Sequence, residues 1–157
     1  FTKRYHYLPQ VHLGAAFGWA VPMAYAAQTG GVTRITWLLY IATLLWTVAY
    51  DTMYAMVDRD DDIRIGAKST AILFGDADRL IIGILQLLFI VTLWLIGQEL
   101  EFLPVYFAGL IAASLLLAYE QALIAYRLPD YCFQAFLHNQ WVGAVIFGGI
   151  MGHYYLV

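Results

Sequence analysis

The sequence predicts an all-α, polytopic transmembrane helical bundle, and three observations carry that prediction. Hydrophobic residues make up 62% of the 157 positions and charged residues 12%, against about 25% charged in an ordinary soluble domain. Mean hydropathy is +0.70. Several apolar runs reach about 20 residues, the length a helix needs to cross the hydrocarbon of a bilayer.

The chain reads as one transmembrane domain with five spans. The first covers about 8–28, with an apolar centre from Val11 to Ala27 broken by Pro22. Gln28-Thr-Gly-Gly-Val-Thr-Arg34 is a turn-rich connector, and the second span covers about 35–56. Residues 57–78 are the one long polar segment. The third span, about 79–96, is followed by a connector from Gly97 to Pro104; the fourth covers about 105–126 and the fifth about 140–156. The stretch between the last two, Arg127 to Asn139, reads as a short interfacial helix.

Seven of the eight lysines and arginines (Lys3, Arg4, Arg59, Arg64, Lys68, Arg79, Arg127) fall on one side of this arrangement and Arg34 on the other. Positive charge accumulates on the cytoplasmic side of membrane proteins, so the polar segment and the N-terminus are expected there. Tyrosines at the span ends, such as Tyr5, Tyr50, Tyr126 and Tyr154, suit the interfacial belts. A net charge of −3 offers nothing to nucleic acid. The single cysteine, Cys132, excludes an intramolecular disulfide and a cysteine metal site, and reads as a free thiol in a polar loop. The chain starts Phe-Thr-Lys-Arg without methionine or a signal-peptide pattern, as a piece of a longer protein would.

Chemistry concentrates in Asp51-Thr-Met-Tyr-Ala-Met-Val-Asp58-Arg-Asp-Asp-Asp62, five carboxylates in an otherwise charge-poor chain. If the second helix continues, Asp51, Asp58 and Asp62 lie within roughly 40° of arc. Carboxylates on one stripe repel unless a cation sits between them, and Mg²⁺ suits such oxygens. Tyr54 lies one turn from both Asp51 and Asp58. Lys68-Ser69-Thr70 follows on a loop able to fold back, and Lys3 and Arg4 are on the same membrane face. Anions for a metal beside cations and hydroxyls for a polyanion fit a metal-bound diphosphate on a lipid-like substrate. Asp60 and Asp61 read as much like a solvated loop.

The run Tyr50-Asp51-x-x-Tyr54-Ala55-x-x-Asp58-x-Asp60-Asp61-Asp62, with Gly66-x-Lys68-Ser69-Thr70, resembles the second aspartate-rich motif of the UbiA prenyltransferases, nearest to those that act on 4-hydroxybenzoate in ubiquinone biosynthesis. Thr2-Lys3-Arg4, with Gln10, Leu13 and Gly14, is similar to a helix start that these enzymes carry midway. The resemblance covers essentially the whole chain. It implies a nine-helix fold of which this chain matches the last five helices, in the bacterial inner membrane or, in a eukaryote, the mitochondrial one. It implies Mg²⁺, polyprenyl diphosphate and 4-hydroxybenzoate as partners within the bilayer. Asp58 and Asp62 would be metal and diphosphate ligands, joined by Asp51. Lys68, Tyr54, Lys3 and Ser69 would bind substrate, and Arg4 would hold either the diphosphate or the benzoate carboxylate. The family's first aspartate motif is absent, and Asp76, Asp78, Glu99 and Glu101 do not replace it. The chain alone is therefore expected to be inactive.

Another aromatic acceptor (naphthoate, haem or chlorophyll type) is the alternative within the family, and a cation channel or transporter segment the alternative outside it. The remaining polar residues read as packing groups. His6 and His12 are about 120° from coincident on one helix and are no metal pair; His153 packs near the outer interface. His138 and Asn139 are expected to bond at a helix start. Glu120, inside the fourth span, reads equally as functional or as reaching headgroup water. Gly14, Gly18, Gly143, Gly148, Gly149 and Gly152 suit close helix packing.

Overall fold

A computed structural model describes residues 2–157, with side chains from Arg4 onward; the substrate contact expected of Lys3 lies outside the described side chains. The described chain contains no strand. Its helices are α1 (Thr2–Tyr5), α2 (Pro9–Gly18), α3 (Ala20–Thr29), α4 (Arg34–Val57), α5 (Arg59–Ile65), α6 (Thr70–Phe74), α7 (Asp78–Glu99), α8 (Pro104–Leu123) and α9 (Pro129–Leu156).

Local chemistry explains the boundaries. Proline opens α2, α8 and α9 at the first turn, where its missing N–H costs nothing. The first span is two helices because Pro22 cannot donate to Gly18 and its ring crowds that carbonyl, so the helix breaks at Trp19. Gly30 ends α3 at φ 78°, and Thr33 and Thr36 cap α4 reciprocally. The separate helix expected over 127–139 does not exist. Once Pro129 starts α9, no glycine or proline follows before Gly143, and the helix runs 28 residues to Leu156.

Among the described residues two segments, Thr70–Glu99 and Pro104–Tyr126, are long and apolar enough to cross a membrane by length and composition. Helix α4 is central, packing on α2, α7 and α9, while α8 pairs extensively with α9. Arg34 meets Glu99 at 3.5 Å at one end of the bundle, whereas Arg59 and Arg127 gather at the other. The charge segregation read from sequence is thus a separation between bundle ends.

Small residues set the helix spacing. A Cβ on Gly109 would lie 3.0 Å from the Val145 carbonyl, and one on Gly149 would lie 3.2 Å from the Tyr106 carbonyl. Gly14, Gly18, Gly143 and Gly152 also face neighbouring side chains closely, but Gly148 has open space around it. Cys132 is fully buried under the acidic loop with Met53, Ile82 and Ile124, not in a polar loop, because the extended α9 carries it inward. His153 stacks on Phe102 at 4.3 Å and accepts the Leu103 N–H at 3.2 Å. Substituting Gly149→Ala is expected to push α8 and α9 apart and cost about 1–3 kcal/mol, read as a lower thermal midpoint in detergent; an unchanged midpoint would show the helices can give way.

Candidate functional site

Helix α4 does not continue through the acidic cluster. It ends at Val57, Asp58 takes φ −87° and ψ 2°, and α5 starts at Arg59. Asp51, Asp58 and Asp62 therefore lie on two helices joined at Asp58, not on one stripe. Asp51 and Asp58 are half-buried, and Asp62 is buried at 5% exposure. Asp60 and Asp61 are exposed, and the Asp61–Arg64 pair at 3.3 Å is a solvated surface contact of little energetic weight.

The loop after α5 folds back as expected. Gly66, at φ 69°, turns the chain and its neighbour Ala67 donates to the Asp62 carbonyl at 2.8 Å. Thr70 then locks it down: its N–H donates to the Gln10 side chain at 3.1 Å, and its hydroxyl meets that of Thr52 at 2.8 Å. All three residues are buried, so this chain of bonds ties α2, α4 and α6 together in a dry place where unmade bonds are costly.

The substrate-binding candidates have particular surroundings. Ser69 is fully buried, and its hydroxyl caps α6 by accepting from Ile72 at 3.3 Å, a structural use that the sequence reading did not foresee. Lys68 donates to the Tyr5 carbonyl at 3.2 Å and lies 5.1 Å above the Tyr7 ring, pinning the N-terminal segment over this end of the bundle. Arg4 is exposed on that segment. The Tyr54 ring packs on Phe136 of α9 at 5.0 Å. His6 and His12 are not apart: the bend before Pro9 brings their rings to 4.3 Å, with each Nδ1 occupied by Leu8 backbone.

Asp78 is the residue that sequence reasoning passed over. It is fully buried at the start of α7 and accepts from Arg59 at 3.1 Å and from Arg127 at 2.8 Å and 3.0 Å. The bonds to Asp78 hold the Arg127 guanidinium above its usual pKa. Arg127 sits in left-handed backbone, φ 55°, a conformation costing a branched-Cβ-free L residue about 1–2 kcal/mol, and its forked bonds to Asp78 and the Asp76 carbonyl offset that cost. Asp78 thereby joins α5, α7 and the α8–α9 connection. No sequence signal marks this; the partners are 19 and 49 positions away.

A second polar network crosses the bundle. Glu120 is fully buried and does not reach headgroup water. It meets His138 Nδ1 at 3.1 Å, Asn139 Nδ2 at 3.2 Å and Gln86 Nε2 at 3.4 Å. His138 and Asn139 are ten residues inside α9, not at a helix start. Asn139 in turn accepts from the Trp46 indole at 2.9 Å. Trp46, Tyr50 and Phe136 line an apolar cavity of about 370 Å³ between α2, α4 and α9, whose upper rim at Tyr50 adjoins Asp51.

Among the described residues no three His, Cys, Asp or Glu side chains are placed to hold a metal by themselves. Asp58 and Asp62 nevertheless offer the hard oxygens that Mg²⁺ takes, and that ion is commonly held by one or two carboxylates completed by substrate phosphates. The donor set fits a metal–diphosphate complex and not a bare metal cage.

The model of the UbiA prenyltransferase family matches residues 1–150. The 4-hydroxybenzoate octaprenyltransferase of Alcanivorax borkumensis is 56% identical over 99% of this chain and 53% of its own length. That of Photobacterium profundum is 56% identical over 96% of this chain and 52% of its own. The chain thus spans about half the length of the curated relatives it matches. In fold, a UbiA homolog from Aeropyrum pernix K1 superposes with a TM-score of 0.76 at 23% identity, over 95% of this chain and 56% of that one. A digeranylgeranylglyceryl phosphate synthase gives 0.78 at 15% identity, over 94% and 53%.

Replacing Asp78→Asn should strand two arginines on a buried neutral amide and cost about 3 kcal/mol. The check is thermal unfolding together with proteolysis of 58–69; unchanged midpoint and cleavage would show that the clasp does not hold the loop.

Proposed function

The chain belongs to the UbiA prenyltransferase family, and from that premise we propose that it forms about half of a membrane enzyme that moves a polyprenyl group from polyprenyl diphosphate onto the ring of 4-hydroxybenzoate. One observation carries the reading: an apolar, aromatic-lined cavity rises along α4 toward the helix end that bears Asp51, Asp58 and Asp62. A hydrocarbon chain with a diphosphate head is amphiphilic in the same order. The names of relatives about 55% identical to the chain support the acceptor and the donor.

Asp58 and Asp62, with Asp51, would hold Mg²⁺, which when bound supplies charge neutralisation for the leaving diphosphate. Lys68 keeps the segment carrying Arg4 above the acidic end, where Arg4 and Lys68 add positive charge for the polyanion. Tyr54, on its Phe136 support, and Ser69, through the loop it caps, shape the same end. The allylic C1–O bond breaks with its electron pair departing on the diphosphate. A ring carbon ortho to the acceptor's hydroxyl then gives a π pair to C1, forming the new C–C bond. The ring proton leaves to water and aromaticity returns. The mostly apolar lining of the cavity disfavours water beside the cation in the meantime. The excess of lysine and arginine at the acidic end supports a cytoplasmic position for it.

The test uses membranes containing the 157-residue chain alone, or the chain joined to the N-terminal half of the Alcanivorax borkumensis relative. Prenyl transfer to 4-hydroxybenzoate is expected only from the joined protein, lost with EDTA and restored by Mg²⁺. Asp58→Asn and Asp62→Asn should each lower kcat by about 100-fold or more, the scale of losing a charge-stabilising group. Turnover by the chain alone, or full activity in both variants, would sink the proposal.

A further inference from the structure

We infer that Trp46 is a specificity-determining wall for the second isoprene unit of the donor, and that Asn139 and Glu120 are positioning residues that hold it there; this rests on the function proposed above. Trp46 lies twelve residues before Asp58, about 18 Å along the α4 axis, of which the ion and the diphosphate of a donor held there take up roughly 7 Å. An isoprene unit contributes four C–C bonds of about 1.5 Å, or about 5 Å of zigzag length. A donor whose diphosphate is held by the acidic end therefore presents its first unit near Tyr50 and its second at Trp46.

The cavity around Trp46 suits hydrocarbon and not the acceptor. Among the described residues it is lined by aromatic, aliphatic and neutral polar side chains, including Phe17, Tyr50, Phe136 and Leu137, with no lysine or arginine. A benzoate carboxylate there would give up water without meeting a cationic side chain, which is unfavourable.

Trp46 is clamped on three sides. One face stacks on Phe89 at 5.7 Å and 8°. Its outer ring edge fits over Gly143, where a Cβ would come within 3.0 Å of it. Its N–H donates to the Asn139 Oδ1 at 2.9 Å. The orientation of that amide is not free: its Nδ2 donates to the Ala135 carbonyl at 3.0 Å and to Glu120 at 3.2 Å. Turned over, it would set an NH₂ against the indole N–H and an oxygen against the Ala135 carbonyl. Glu120 is itself held by Gln86, which accepts from Gln121 at 2.9 Å. Four helices thus converge to fix one ring, and the surface left over faces the cavity.

The experiment compares dimethylallyl, geranyl and farnesyl diphosphates as donors for the joined protein in membranes. Dimethylallyl has a single unit and ends short of Trp46; the longer donors pass it. Trp46→Ala is expected to lower the farnesyl-to-dimethylallyl ratio of kcat/KM about tenfold, the scale of losing a hydrocarbon contact. Trp46→Phe, which keeps a ring but no N–H donor, should fall between, and it serves if the alanine variant does not accumulate. Asn139→Ala and Glu120→Ala should shift the same ratio by a smaller factor, and Glu120→Gln, which keeps an acceptor oxygen for Asn139, should restore it. Equal losses for all three donors would mean a merely structural role and overturn the inference. A ratio moved by Trp46→Ala but not by Asn139→Ala or Glu120→Ala would overturn the positioning part. Wild-type transfer with an unmoved ratio fails this inference alone, whereas no wild-type transfer fails the proposed function and this inference with it.

Discussion

A carboxylate sealed from water has to be answered by positive charge, and in this protein the answer to Asp78 organises the working end of the bundle. Arg59 comes from the start of α5 and Arg127 from the α8–α9 connection, so one buried anion gathers segments that share no local sequence. The polar loop between them is short of apolar contacts of its own. Its position over α4 depends on this clasp and on the buried bonds from Gln10 through Thr70 to Thr52. Arg59, although next to Asp58 in sequence, is committed to Asp78.

Deeper in the bundle the organising device is a neutral and acidic network and not a salt bridge. In lipid, apolar side chains have little preference for one another over acyl chains, so small residues and buried polar groups must specify which helices meet. Gly109 and Gly149 allow α8 and α9 to touch backbone to backbone. Glu120, Asn139, Gln86 and Trp46 link four helices at one level, a cost in desolvation that fixes a single arrangement. The two devices divide the labour: the clasp places the charged loop, and the network shapes the cavity below it.

Much of the fold was legible because its signals are local. Apolar length marked the long helices, and Pro22 marked a break. The 50–70 block was legible as chemistry because carboxylates, a lysine and hydroxyls crowd into a charge-poor chain. Asp78 was passed over because a lone aspartate carries no pattern, and Glu120 was left open because depth along a helix does not reveal which way its side chain faces. The stretch before Gln140 was split from α9 by its polarity, although nothing in it after Pro129 can stop a helix. His6 and His12 were separated by assuming one helix through a bend that Pro9 imposes.

The sequence by itself determined the class of this protein, where its long apolar segments lie, the end at which its charges collect, and the residue types crowded at that end. These follow from periodicity, composition and proximity along the chain. Only the tertiary structure decided which arginines answer Asp78, that Ser69 is spent on a helix cap, that Lys68 pins the N-terminal segment, and that Glu120 reaches Trp46 through Asn139. Those pairings join residues up to 93 positions apart, and the energy that selects them comes from burying polar groups together, which no local stretch of chain can express.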